Sequence, residues 1–334
     1  MKYTSIGGQA VMEGVMMRSQ TSLVMSVRRA DGSIAVEKTR LSRKPWRKTV
    51  AKIPLVRGVV AFVDSLTQGM RLTSRSAELY GEDAVAGEEP SRFEKWLSEK
   101  LHIRIETVAV VLGIVLGLAL SFALFIFLPS LVSRAIWALL GTRGVTPETA
   151  GMGTKILLDL VEGLIKILIF VCYLIGVGFM KDIKRLFMYH GAEHKVISCY
   201  EHGDELTVEN ARKYSTSHPR CGTSFILIIL VVSILVTAAA DHLFGLSTAN
   251  AAAMAIRLIV KLALLPLIAG ISYEVLKLLA INDNPVFCVL RSPGMLLQKL
   301  TTRQPDDSML EVSLTSFKNV LVMDGLMEEP EEEY

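Results

Sequence analysis

Thr107 to Leu128 reads TVAVVLGIVLGLALSFALFIFL, a run of 22 residues without a charge. At about 1.5 Å per residue, a helix of that length covers a hydrocarbon layer roughly 30 Å thick. The run sets the class of the whole chain: a mean hydropathy of +0.42 and 51% hydrophobic residues are concentrated in blocks of this kind, as in membrane proteins. The 21% of charged residues leave room for parts that sit in water.

Three further blocks extend the pattern. Ile156 to Met180 is apolar except for Asp159, Glu162 and Lys166, which share one helical face and should turn it toward other helices or the outer interface rather than lipid. Ser224 to Ala239 is a third block, and Leu258 to Leu279 a fourth that carries Pro266, Gly270 and Glu274. The expected fold is a predominantly α-helical polytopic membrane protein of about four transmembrane helices, with the second or fourth block open to a re-entrant reading. The connection from 181 to 223 holds seven basic residues, whereas the connections at 129 to 155 and 240 to 257 hold only Arg134, Arg143, Lys155 and Arg257. The positive-inside rule therefore puts both termini and the 181 to 223 connection in the cytoplasm. No cleavable leader is expected, because Gly7, Gly8, Gln9 and Glu13 interrupt the first apolar residues.

The region 1–104 should form a small mixed α+β cytoplasmic domain. Ile6 to Arg18 reads as a turn and an irregular strand. Leu23 to Arg29 and Ser33 to Leu41 flank Asp31-Gly32 as a hairpin, and an amphipathic helix follows from about Pro54 to Tyr80. Residues 1 to 77 carry fourteen Lys or Arg against four acids, a local excess of +10. The cluster Arg43-Lys44-Pro45-Trp46-Arg47-Lys48 suits anionic lipid headgroups, or a ribosome or membrane-complex partner, and sequence-specific DNA recognition is not expected. Glu82 to Ser91 has linker composition, and Arg92 to Ile103 reads as a short amphipathic helix. After the 105–281 membrane bundle, the tail 282–334 should hold a cap cluster at Asn282 to Pro285, a short helix opening at Ser292-Pro293-Gly294, a helix over Met309 to Met323 that packs on the N-terminal domain, and an acidic end from Glu328.

The candidate chemistry follows the second block. Three of the six histidines fall near Tyr189-His190-Gly191-Ala192-Glu193-His194-Lys195. On a helix, His190, Glu193 and His194 share one face at i, i+3 and i+4, and two imidazoles so spaced can reach one metal ion. The His-x-x-Glu-His spacing matches the inverzincin pattern, with two histidine ligands, an intervening glutamate as general base and a distant glutamate as a further ligand. That assigns His190 and His194 as ligands, Glu193 as base and Glu274 as the distant ligand, without implying a peptidase. His218 and Cys221 lie just before the third block and compete for the remaining positions. Glu13, Cys199 and Glu201 are weaker candidates. Nitrogen and sulfur donors point to a divalent metal of the zinc type. The alternative is that the two histidines cap a helix end while Glu193 makes a local salt bridge, and that Pro219 to Gly222 is a packing turn. The four cysteines (172, 199, 221, 288) show no disulfide pattern.

Four blocks in order, GGQAVMEGVMMR at 7 to 18, MYHGAEHKVISCYE at 188 to 201, HPRCGTSF at 218 to 225 and SYEVLK at 272 to 277, together with SPGMLLQKLTTRQPDDSMLEVSL at 292 to 314, resemble the bacterial YqhQ family over essentially the whole chain. The resemblance implies a membrane protein labelled as a metal-dependent enzyme, on the same His, Glu and Cys residues. The sequence thus favours a metal-dependent hydrolase at the cytoplasmic membrane face. Against it stand a non-catalytic accessory or assembly factor that docks through its basic domain, any metal being structural, and a transporter lined by Glu162, Lys166 and Glu274.

Overall fold

In a computed structural model the described residues are 4–42, 49–81, 105–139, 152–219, 221–246, 251–281 and 284–328. In chain order they form strands β1 (Gly7–Val11), β2 (Gly14–Arg18), β3 (Ser22–Arg28) and β4 (Ile34–Arg40), then helix α1 (Val56–Gly81). Helix α2 (Ile105–Phe122) continues through a π turn (Ala123–Phe127) into α3 (Leu128–Leu139), and α4 (Met152–Val177) follows. Next come α5 (Lys181–His202), the single turn α6 (Val208–Arg212), α7 (Thr223–Leu243), α8 (Ala251–Ala263), α9 (Leu265–Ile281), α10 (Pro285–Thr301) and α11 (Asp307–Met323). The expectations for Arg43 to Lys48, Glu82 to Ser91, Arg92 to Ile103 and residues 329–334 lie outside the described residues.

The strands form one antiparallel sheet in the order β1-β2-β3-β4. The Asp31-Gly32 hairpin forms as its sequence dictates, with Arg28 opposite Ile34 and Gly32 at φ 89°. Residues 7 to 18, expected as a turn and an irregular strand, instead make a second regular hairpin, pairing Val11 with Gly14. Its turn places Glu13 at φ 48°, a left-handed conformation that disfavours side chains other than glycine. Both sheet faces are covered. Val15, Met17 and Val24 face a core with Tyr189, Val196, Phe317 and Leu321, whereas Met16, Leu23, Met25 and Val27 face Leu72 and Leu79 of α1. The period of two thus divides each strand between two cores.

Among the described residues, three helices are long and apolar enough to cross a membrane, over Val115–Ser133, Asp159–Val177 and Phe225–Leu243, and a bent pair, Ala255–Ala263 with Leu265–Leu279, makes up to four. The π turn follows from Pro129, which has no N–H for the Phe125 carbonyl; the Leu128 N–H reaches back to Ala123 O instead. The fourth block is not one straight helix. It bends by 42° between α8 and α9, since Pro266 cannot bond Leu262 O in a continuous helix but fits in the first turn of α9. The tail helix α10 also differs from its expected start. It begins at Pro285, with Asn284 as cap accepting from the Val286 N–H, and runs through Pro293.

The chain divides into two units. One comprises Met1–Ala84, Leu174–Ser233 and Ile259–Tyr334, the other Val85–Tyr173 and Ile234–Leu258. In the second, the polar groups of the apolar helices are paired: Lys166 with Glu162 at 2.8 Å, His242 with Asp159 at 2.8 Å, and Arg257 with Asp241. The first unit joins segments far apart in sequence, for the sheet, α5 and α11 share one core. Asp306 caps α11 by accepting from the Met309 N–H at 2.9 Å, and Ser316 Oγ donates to Val24 O at 2.9 Å.

Candidate metal centre

Helix α5 carries the site. It leaves an extended Met180 and ends at Gly203, whose φ of 84° lets its N–H reach back to the Cys199 and Tyr200 carbonyls. Its second half is buried although it holds Glu193, His194, Lys195, Ser198 and Glu201. Polar side chains in such numbers require partners. Lys195 donates to the carbonyls of Arg212 at 2.9 Å and Tyr214 at 2.5 Å, and burial pulls its pKa down.

His190 and His194 lie one turn apart with ring centroids 4.4 Å apart. Each ring is held through Nδ1 by a backbone carbonyl: His190 by Thr301 O at 2.8 Å and His194 by Thr216 O at 2.6 Å. Donation from Nδ1 fixes the tautomer and leaves Nε2 with its lone pair, the arrangement that orients histidine ligands in metal sites. His190 Nε2 lies 3.2 Å from Cys221 Sγ. His194, only 1% exposed, has a buried Nε2 with no hydrogen-bond partner among the described residues. A buried nitrogen left so is costly unless something coordinates it. Cys221 is held at the start of α7, where its Sγ accepts from the Thr223 N–H at 3.4 Å. Ligand atoms of His190, His194 and Cys221 all lie within 4.8 Å of one another. Two imidazole nitrogens and a sulfur so placed are a group that could hold a metal ion.

Glu193 is 5% exposed and takes a hydrogen bond from the Gly8 N–H. Burial raises its pKa, against a smaller lowering by His190. Strand β1 comes this close because residue 8 is glycine: a Cβ there would stand 2.7 Å from Glu193 Cγ. Glu193, His194, His218 and Cys221 line one cavity of about 520 Å³, whose other walls include Gln9, Met16, Arg18, Ser65 and Gln68.

His218 stands beside the three-residue group. Its ring centroid is 5.8 Å from that of His194, and its Nε2 is 3.3 Å from Glu201 Oε2. Gln298 holds the His218 backbone from both sides at 2.9 Å, and the Thr4 N–H donates to Glu201 at 3.0 Å. Glu201 is thus turned to His218 and Thr4. Cys199 lies in the apolar core, where burial pushes its pKa to about 11. Two carboxylates expected at the site are held elsewhere. Glu13 pairs with Arg185 and accepts from Tyr189 Oη at 3.2 Å. Glu274 pairs with Arg57 and accepts from the Leu55 N–H at 3.2 Å. Each has a guanidinium that satisfies its charge, and neither belongs to the group that can share an ion.

The sequence reading missed Thr216, Thr301 and Gly191. Backbone carbonyls have no side-chain signature, but Gly191 was visible as a glycine inside a helix, which points to a close approach. A Cβ on it would lie 2.1 Å from Arg303 O, so glycine lets the segment after α10 pass near enough for Thr301 O to hold His190.

Residues 53–323 match a family described as "Protein of unknown function (DUF1385)". The "Uncharacterized protein YqhQ" of Bacillus subtilis (strain 168) is 35% identical over 327 residues, covering 97% of this chain and 94% of the relative. No solved structure matches the chain. Match and identity over nearly the whole length, with the His190, His194 and Cys221 blocks inside the matched region, show that the chain belongs to the YqhQ (DUF1385) family.

Proposed function

We propose that this chain is a membrane-embedded, metal-dependent hydrolase whose site faces the cytoplasm. The observation that carries the reading is the buried Nε2 of His194, without a partner among the described residues, beside His190 Nε2 and Cys221 Sγ. His190, His194 and Cys221 hold the ion, Thr301 O and Thr216 O fix the two imidazoles, and Glu193 serves as general base from the wall of the same cavity. A bound zinc-type ion supplies Lewis-acid polarisation of a substrate oxygen. Burial raises the pKa of Glu193, which makes its carboxylate a stronger proton acceptor. His218, oriented by Glu201 and Gln298, faces the cavity as a hydrogen-bonding group for substrate.

Metal analysis of the purified protein tests this directly. One zinc per chain is expected, lost in His194→Ala and Cys221→Ser and kept in Glu193→Gln. A wild-type protein that takes up no divalent metal, or His194→Ala retaining it in full, overturns the reading. If zinc is bound but Glu193→Gln matches wild type in every hydrolytic assay, the ion is structural. The accessory function motivated by the basic N-terminal region is then favoured.

A further inference from the structure

Besides Glu193, His194, His218 and Cys221, the cavity wall includes Arg18, Ser65 and Gln68. Arg18 Nη1 donates to Gln68 Oε1 at 2.6 Å, which orients the guanidinium. A planar guanidinium among hydroxyl and amide groups is a recognition surface for an oxyanion, and phosphate, with more acceptor oxygens than a carboxylate, uses more of these donors.

The same helix that supplies Ser65 and Gln68 also carries an uncovered apolar stripe. Val56, Val63, Leu66 and Met70 are exposed, Met70 at 71%. At 3.6 residues per turn they fall within an arc of about 80°, turned away from Ser65 and Gln68. Helix α1 also packs on α9, part of the bent candidate span. A Cβ on Gly58 would meet Tyr273 Cβ at 2.7 Å, and one on Gly270 would meet Leu55 O at 2.9 Å, so the two backbones touch. Leu265, Leu267 and Leu278 of α9 are exposed as well. The stripe on α1 thus adjoins the apolar surface of a helix suited to lipid, which identifies the bilayer as its occupant.

We propose that the cavity binds the phosphate head of a membrane amphiphile, with Arg18 contacting the phosphate and α1 forming the wall between the cavity and the lipid that supplies the ligand. The proposal rests on the hydrolase reading for the chemistry at His190, His194 and Cys221, and adds to it the substrate class and the side of entry. A ligand with its phosphate at Arg18 and its chains in the bilayer need not leave the membrane to reach the site.

Calorimetric titration of the full chain in a non-ionic detergent tests it, with dihexanoylphosphatidic acid and inorganic phosphate as separate probes and zinc content measured on every sample. The lipid should bind at least about tenfold more tightly than inorganic phosphate. Arg18→Gln should weaken the lipid at least about tenfold with zinc unchanged. Leu66→Gln/Met70→Gln should weaken the lipid and leave inorganic phosphate as it was. Should Arg18→Gln not fold, Arg18→Lys, which keeps the charge and loses the fork, should still bind the lipid several-fold more weakly. Wild-type lipid affinity in the Arg18 variant that folds overturns the phosphate contact, and inorganic phosphate binding as tightly as the lipid overturns the membrane source. Loss of zinc without loss of lipid binding is a failure of the hydrolase reading alone.

Discussion

Gly191 sits inside a helix, where glycine costs about 1 kcal/mol relative to alanine. By propensity alone Gly191→Ala should stabilise the protein. The Cβ position 2.1 Å from Arg303 O reverses the sign, because the obstacle is backbone that cannot rotate aside. Gly191→Ala should destabilise by about 1–3 kcal/mol and weaken zinc, since the displaced segment follows directly on Thr301, whose carbonyl holds His190. Gly176, with nothing within 4 Å of its Cβ position, is the control: Gly176→Ala should be neutral or stabilising. Denaturant melts and zinc titrations on both variants check the contrast, and equal behaviour would remove the close approach as the reason for Gly191. This residue also shows what the sequence could disclose of the site. The i, i+3, i+4 spacing was enough to find His190, Glu193 and His194, since side-chain type and helical period determine which face they share. Cys221 was legible only as one of several competitors. Glu274 was drawn to the site as the distant glutamate of the His-x-x-Glu-His pattern and Glu13 as a weaker candidate, and nothing in the sequence said that Arg57 and Arg185 stand nearer.

Among the elements, the end of α11 is tied to the sheet by one carboxylate. Asp324 accepts from Thr21 Oγ1 at 2.7 Å and Ser22 Oγ at 2.5 Å. Burial acts to raise its pKa, but hydrogen bonds from Ser19, Ser22 and Thr21 outweigh that and hold the carboxyl below its usual 3.8. A carboxyl with a lowered folded pKa adds stability above its unfolded pKa and loses it as pH falls through the folded value. Asp324→Asn should therefore lower stability by about 1 kcal/mol at pH 7, with the gap to wild type closing below about pH 4. Thermal melts of both proteins across that range decide it, and a gap independent of pH would mean that the carboxylate charge contributes nothing. Elements were legible where local chemistry rules. Asp31-Gly32 announced its hairpin, and the helix expected over Met309 to Met323 forms as α11. They were misread where a tertiary partner decides. The hairpin at 7 to 18 has a non-glycine residue at positive φ in its turn, and α10 runs through Pro293 because its other side is buried through Leu297 and Gln298.

At the scale of the molecule, the sheet, α5 and the C-terminal helix fold around one core, although up to four apolar segments lie between or beside them in the chain. Such a core requires its contributing segments to be on the same side of any membrane the apolar helices cross. By the positive-inside rule that side is expected to be the cytoplasmic one: the connection from 181 to 223 holds seven of the basic residues near span ends, and 240 to 257 holds Arg257. Helix α7, with an apolar stretch at Phe225–Leu243, is the simplest place to test this, because its two ends should label from opposite sides. In a Cys288→Ser background, which removes an exposed native thiol outside the apolar stretches, Glu209→Cys on α6 should react with a membrane-impermeant maleimide only in inverted vesicles. Phe244→Cys, at an exposed position beyond α7, should react only in right-side-out cells. Labelling of both from one side would mean that α7 does not cross. The reversed pattern would put the metal centre outside the cell, and the apolar stripe of α1 would then meet the outer leaflet rather than the inner one.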